Sequence, residues 1–182
     1  QTPLFLGRVE KVTRLAATKL ELTFRKSAFQ DLAQALSHVQ SGMRGFNLSK
    51  ASSRFQMRNN VFRNNAGRGM LLSAPNGVVS ENDVQYSRFS GMLVAIFNGA
   101  FFDGPGPSNV ALLRNYIAHT NNVGGERDKP AGAISVYVEE RNGVASFPLL
   151  QRLVIADNLI EDVQGLAIQL SHARNAKLIR NT

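Results

Sequence analysis

An all-β solenoid, a right-handed parallel β-helix, is the fold this sequence predicts, and three observations predict it. Asparagines recur at Asn60, Asn82, Asn115, Asn158 and Asn181, at spacings of 22, 33, 43 and 23 residues. Each of the first four precedes a glycine and then a short apolar strand: Gly69 before "MLLS", Gly91 before "MLVAIF", Gly132 before "AISVYV" and Gly165 before "LAIQL". No run between them has the length and 3.6-residue period of an ordinary helix. A period in the low twenties with strands of four to six residues marks a stack of coils, and the longer spacings read as the same coil carrying insertions.

The asparagines have a structural task in such a stack. Each coil turns sharply between strands, and Asn or Gly tolerates the left-handed backbone that corners need. Equivalent residues of successive coils lie above one another, so Asn side chains can bond as a ladder while Leu, Ile, Val and Met fill a continuous interior. Alternation then assigns the faces. It turns Met92, Val94 and Ile96 inward and Ala95 and Phe97 outward. Ile134, Val136 and Val138 go inward, with Ser135, Tyr137 and Glu139 outward, once that strand is shifted by one residue against its neighbours. In the last strand Leu166, Ile168 and Leu170 go inward and Ala167, Gln169 and Ser171 outward. The predicted outer strip is therefore Ser73, Phe97, Tyr137, Glu139 and Gln169, an aromatic and polar mixture that suits a sugar surface as well as it suits solvent.

The first 50 residues follow a different pattern. Residues 7–12 and 19–24 alternate as two strands joined by a turn. Phe29, Leu32, Leu36 and Val39 are spaced for one short helix within residues 27–40. The expected organisation is a small β-rich lead-in over residues 1–50 and coils over residues 51–182. The chain begins without Met and stops within a coil at "KLIRNT", so it reads as a piece of a longer protein. An uncovered end of a β-helix exposes strand edges, so a flanking domain or partner chain is expected there.

Composition narrows the function classes. At 182 residues and 43% apolar, the chain can bury a substantial core and is not wholly disordered. It has no cysteine, hence no disulfide and no thiolate metal site. No segment approaches 18 apolar residues and the N-terminus lacks a signal pattern, so no membrane insertion is expected. His38, His119 and His172 share no ligand spacing, and neither a metal nor a cofactor is predicted. The formal charge of +8 invites a nucleic-acid partner. Yet Arg54, Arg58, Arg63 and Arg68 are dispersed among asparagines, with no basic run and no recognition motif, so no nucleic-acid role is predicted.

Solenoids carry function in the insertions that distinguish one coil from another. Residues 95–109 hold Asn98, Phe101, Phe102 and Asp103 among glycines and prolines; residues 119–132 hold His119, Glu126, Arg127 and Asp128; residues 138–150 begin with Glu139 and Glu140. The first and third leave the same end of equivalent strands one coil apart. Asp103 and Glu139 are thereby candidates to face each other across a groove beside Phe101, Phe102 and Tyr137. Paired carboxylates with aromatic platforms are what glycoside hydrolysis needs. Asp103 and Glu139 are the candidate catalytic pair, and Asn98, Phe101, Phe102, Tyr137 and Glu140 the candidate substrate contacts.

The order "RNNVFRNNAGRGMLLSAPNGVV", "FSGMLVAIFNGAFFDGPGPSNVALLRNYI", "AISVYVEE" resembles the pectin-lyase-like β-helix glycosidases of glycoside hydrolase family 110, the α-1,3-galactosidases. The segment "GRVEKV…LELTF" resembles the small β-rich module ahead of their coils. The resemblance implies inverting cleavage of terminal α-galactosides by carboxylates without metal, in an extracellular or periplasmic setting. It also implies an acid at Asn98, a Trp near Phe101 or Phe102, a Glu near Asp103 and a Pro at Val138, four places where this chain differs. Two other readings stand beside it: a polysaccharide lyase acting on an acidic glycan through Arg127 and Asp128, and a non-catalytic structural or adhesive scaffold.

Overall fold

Short apolar triplets separated by Asn and Gly cannot close a helical turn, and in the computed structural model they form strands of two to nine residues. The structure describes residues 9–16, 19–24, 54–97, 106–121, 132–140, 143–144 and 150–182. The chain divides into two compact units, Gln1–Gly45 and Phe46–Thr182. In the first, β1 (Val9–Ala16) and β2 (Lys19–Phe24) form an antiparallel pair with Val12 opposite Leu22. The first strand runs past the predicted residue 12 because pairing continues to Ala16 opposite Lys19. The helix predicted within residues 27–40 lies outside the described residues.

In the second unit the chain passes repeatedly through three parallel sheets. The first coil holds β3 (Gln56–Arg58), β4 (Val61–Arg63) and β5 (Met70–Leu72), and the second β6 (Gly77–Ser80), β7 (Asp83–Gln85) and β8 (Met92–Phe97). The third holds β9 (Ser108–Leu113), β10 (Tyr116–Ala118) and β11 (Gly132–Glu140); there β12 (Gly143–Val144) folds back antiparallel on β11. The fourth holds β13 (Leu150–Ala156), β14 (Leu159–Glu161) and β15 (Leu166–Leu170), and β16 (Ala173–Arg174) and β17 (Lys177–Ile179) begin a fifth. The interior is made of columns. Met57, Val79, Leu112, Ile155 and Leu178 stack in the first sheet, and Phe62, Val84, Ile117 and Ile160 in the second. Met70, Met92, Ile134 and Ile168 stack in the third, where Gly132 stands one residue out of step with Gly91 as the pattern predicts.

The asparagine ladder forms as its spacing implies. Asn60, Asn82, Asn115 and Asn158 each donate backbone N–H and side-chain Nδ2 to the Oδ1 of the next rung, at 2.9–3.1 Å. From Asn82 onward, Nδ2 also donates to a carbonyl of the preceding coil: Met57, Val79, Leu112 and Ile155. The middle three rungs are buried, so every polar atom needs such a partner.

The left-handed corner, however, sits one residue before each ladder Asn, at Asn59, Glu81, Arg114, Asp157 and Arg180, with φ of 45–58°. Asn and Gly were expected there, and four of the five carry charge. A left-handed residue with a Cβ costs roughly 1–2 kcal/mol. Two contacts offset that cost. The N–H of Glu81, Arg114 and Asp157 bonds the next coil's Leu113, Ala156 and Ile179 carbonyls at 2.9–3.0 Å. The side chains alternate in sign: Glu81 bridges Arg58 and Arg114, both at 2.8 Å, and Asp157 holds Arg180 at 2.6 Å. Glycine is required elsewhere: a Cβ on Gly69 would stand 2.5 Å from the Gly91 carbonyl oxygen.

Two expectations about faces fail. Phe97 and Tyr137 point outward but are only 7% and 8% exposed, and Ala95 and Ser135 are fully buried. Leu93, Ala95, Phe97 and Tyr137 form a second apolar cluster on the outside of the third sheet. The Ser135 hydroxyl is satisfied by Gly132 and Ser90. Conversely Leu166 and Leu170 keep the interior register, opposite Gly132 and Val136, yet are exposed, because among the described residues no further strand pairs beyond β15.

Candidate functional site

Glu139 is the penultimate residue of the nine-residue strand β11 and is held on both sides, in register with Phe97 of β8 and Val144 of β12. It is partly exposed. That registration brings the bases of the 95–109 and 138–150 insertions to the same end of the third sheet, as their sequence positions imply. Of the other predicted site residues, Asn98, Phe101, Phe102 and Asp103 lie outside the described residues, so the Asp103–Glu139 pair does too. Glu140 continues β11 opposite Gly143. Tyr137 is 8% exposed and packs in the Phe97 cluster. The Arg68 guanidinium covers the Phe97 ring at 5.4 Å.

An aromatic and polar strip does exist, on the second sheet. Its strands are three residues long, and their outward side chains stay at least partly exposed, except for the fully buried Ala118. Register places Val61, Asp83, Tyr116 and Leu159 in one outward column, and Arg63, Gln85, Ala118 and Glu161 two residues along. The next residue in each coil is a left-handed corner: Asn64, Tyr86, His119 and Asp162, with φ of 47–57°. That backbone throws their side chains out of the stack. The Tyr86 and His119 rings lie face to face, centroids 4.6 Å apart and 10° from parallel. His119 Nδ1 meets Asp162 Oδ2 at 2.6 Å, and Tyr86 remains 48% exposed.

The adjoining column carries further polar chemistry. The Tyr116 hydroxyl donates to Glu161 Oε2 at 3.1 Å. This bond, with partial burial and the nearby Glu161 and Asp83 charges, raises the Tyr116 pKa above its ordinary value, so the hydroxyl keeps its proton. Asp83 is met by Arg63 at 2.5 Å and by the Gln85 amide at 2.6 Å. The face thus combines a flat ring stack with carboxylates and a phenolic oxygen, groups suited to a pyranose and its hydroxyls. Among the described residues no three His, Asp or Glu side chains converge as a metal-ion site. Sequence reasoning noticed His119 but missed Tyr86, Tyr116, Glu161 and Asp162. The signal was present: Tyr86, His119 and Asp162 repeat the 33- and 43-residue spacings of Asn82, Asn115 and Asn158.

Comparison with known proteins adds the following. The model of the family described as "right handed beta helix region" matches residues 16–182. The Azotobacter vinelandii mannuronan C-5 epimerase AlgE4 A-module superposes with a TM-score of 0.54 at 18% identity. The match covers 76% of this chain and 35% of that one, so the chain spans about a third of that module's length. At that identity the likeness shows a common fold. No curated protein sequence matches. The right-handed β-helix is shown; the narrower resemblance to glycoside hydrolase family 110 gains no support.

Proposed function

The chain belongs to the right-handed β-helix family, and from that premise we propose that it is a carbohydrate-active solenoid that holds a glycan on its lateral surface. The observation that carries this reading is the exposed Tyr86–His119 stack with Glu161, Asp162 and the Tyr116 hydroxyl beside it. A flat ring stack covers the apolar C–H face of a pyranose, and carboxylates accept hydrogen bonds from its hydroxyls, a few polar groups fixing orientation on an apolar base. The fold neighbour, named for its action on mannuronan, supports a polysaccharide ligand by analogy of fold alone. An extracellular or periplasmic setting belongs to the same proposal. Affinity electrophoresis against a panel of soluble polysaccharides tests it. Wild type is retarded by at least one glycan and Tyr86→Ala loses at least tenfold in affinity; a variant that binds as well as wild type defeats the reading.

A finer reading rests on Glu139, whose position at the end of a paired strand fits a general acid or base. It is hydrolysis of terminal α-galactosides, with Asp103 as the expected partner. Glu139→Gln removes proton transfer while keeping shape, so turnover falls about 10²–10⁴-fold. Absence of turnover by wild type on every α-galactoside leaves a binding scaffold instead.

A further inference from the structure

The outward face of the first sheet is a low strip between two polar rims. Register aligns Gln56, Val78, Ala111, Val154 and Lys177 in one outward column. The middle three side chains are short and apolar, and Val78 is 38% exposed. Along one side run the left-handed corners Arg54, Asn76, Asn109, Arg152 and Asn175, with φ of 54–61° and all exposed. Along the other runs the charge ladder, Glu81 with Arg58 and Arg114 and Asp157 with Arg180. Both acids of that ladder already hold arginine, whereas Arg54, Arg152 and Lys177 meet no acid among the described residues. The sequence that leads into β3, β9 and β13, residues 46–53, 98–105 and 145–149, adds one acid, Asp103, and one cation, Lys50. The strip is therefore basic whichever of those residues is counted with it.

We propose that this face is a second glycan-binding surface and that it takes a linear acidic polysaccharide laid along the helix axis. Strands stack about 4.8 Å apart, which sets Arg54 and Arg152, three coils apart, roughly 14 Å from each other along that axis. A polymer with a carboxylate on every ring meets both guanidiniums and Lys177 in one pose, whereas a small anion meets one of them. Each guanidinium can take a carboxylate by two parallel bonds. Between the cations Val78, Ala111 and Val154 give ring C–H groups an apolar floor. Asn109 Nδ2 donates to Asn76 Oδ1 at 3.1 Å, which leaves Asn76 Nδ2 as a donor and Asn109 Oδ1 as an acceptor for hydroxyls. Nucleic acid suits the face less well, because the outward positions of β3, β6, β9, β13 and β17 hold no aromatic side chain on which a base can stack. The surface is independent of the Tyr86–His119 stack, which belongs to another sheet.

Affinity electrophoresis in gels containing polygalacturonate tests the proposal. At low ionic strength wild type is retarded, and the retardation fades as salt screens the charges. R54Q/R152Q weakens binding at least tenfold, and K177Q alone weakens it by a smaller factor. R68Q/R88Q removes the same charge from arginines that lie over the Phe97 and Phe89 rings, and binding stays within twofold of wild type. Circular dichroism checks the fold of each variant. Equal losses in the two double variants show that binding follows net charge and not this face, and overturn the proposal, as does a wild type that polygalacturonate does not retard. Duplex DNA bound more tightly than polygalacturonate at equal salt, and released by R54Q/R152Q, overturns the glycan as the occupant.

Discussion

The outward faces of the second and third sheets are built in the same coils, by the same alternation, and end in opposite states. In the third sheet β8 and β11 are six and nine residues long, and their outward Leu93, Ala95, Phe97 and Tyr137 are buried. In the second, β7 and β10 are three residues long, and Asp83, Tyr116, Tyr86 and His119 remain at least partly exposed. Strand length and outward polarity vary together. A long strand with apolar residues on both faces must be covered twice, whereas the short strands β7 and β10 leave their outward side chains at least partly exposed, Ala118 apart. Of these two faces, chemistry accessible to a ligand is consequently found on the short strands, and long strands supply rigid ends such as Glu139.

The largest perturbation strikes what both faces share. Asn115→Ala removes a buried rung, taking the Oδ1 acceptor from the Asn82 N–H and Nδ2 and the Nδ2 donor from the Val79 carbonyl and the Asn158 Oδ1. Each unpaired buried group costs about 1–3 kcal/mol. A loss of about 4 kcal/mol or more is expected in urea denaturation, and a loss under about 1 kcal/mol would show that the ladder does not hold the coils. The next experiment separates the faces. Phe97→Ala empties part of the covered cluster and should cost about 3 kcal/mol, whereas Tyr86→Ala deletes an exposed ring stack and should cost about 1 kcal/mol. Equal losses would end the contrast drawn here. The smallest effect is electrostatic. The Arg114 and Arg58 hydrogen bonds hold the Glu81 pKa below its ordinary 4.5, and Arg180 holds Asp157 below 3.8. Folded values that are depressed contribute stability above the unfolded pKa that is lost as pH falls through the folded one. The melting temperature should therefore decline on acidification below about pH 4.5, and less steeply in Glu81→Gln, whereas a profile identical in wild type and variant would remove the charge ladder as a cause.

What the sequence made legible was whatever depends on position within a coil. The five ladder asparagines, the inward columns and the shifted register of Gly132 follow from spacing and parity, because stacking forces equivalent residues into line. What it hid depends on neighbours outside the coil. Parity states that Tyr137 points outward but is silent on what lies over it. The corner residue was misplaced by one because Asn is both the best left-handed residue and the best ladder residue, and here it serves the second task while Glu81, Arg114 and Asp157 take the first. The Tyr86–His119–Asp162 column was obscured because its members differ in chemistry. Only the borrowed spacing relates them.

The corners also show where length can vary. Left-handed residues at positions 54 and 64, 76 and 86, 109 and 119, and 152 and 162 are ten apart in every coil, so insertions are confined to the remainder.

The ladder has a direction, and a growing chain would meet it in order. Each rung's donors point to an acceptor that lies later in the sequence, and each new Asn reaches back to clamp a carbonyl of the coil already made. Were coils to close one at a time behind the ribosome, insertion length would set the interval. At the ~5–20 residues per second of synthesis, the 22 residues from Asn60 to Asn82 take roughly 1–4 s. The 43 residues from Asn115 to Asn158 take roughly 2–9 s. During that longer wait the third coil stands with its amide donors open, and the sequence that prolongs it carries two of the three insertions, residues 119–132 and 138–150.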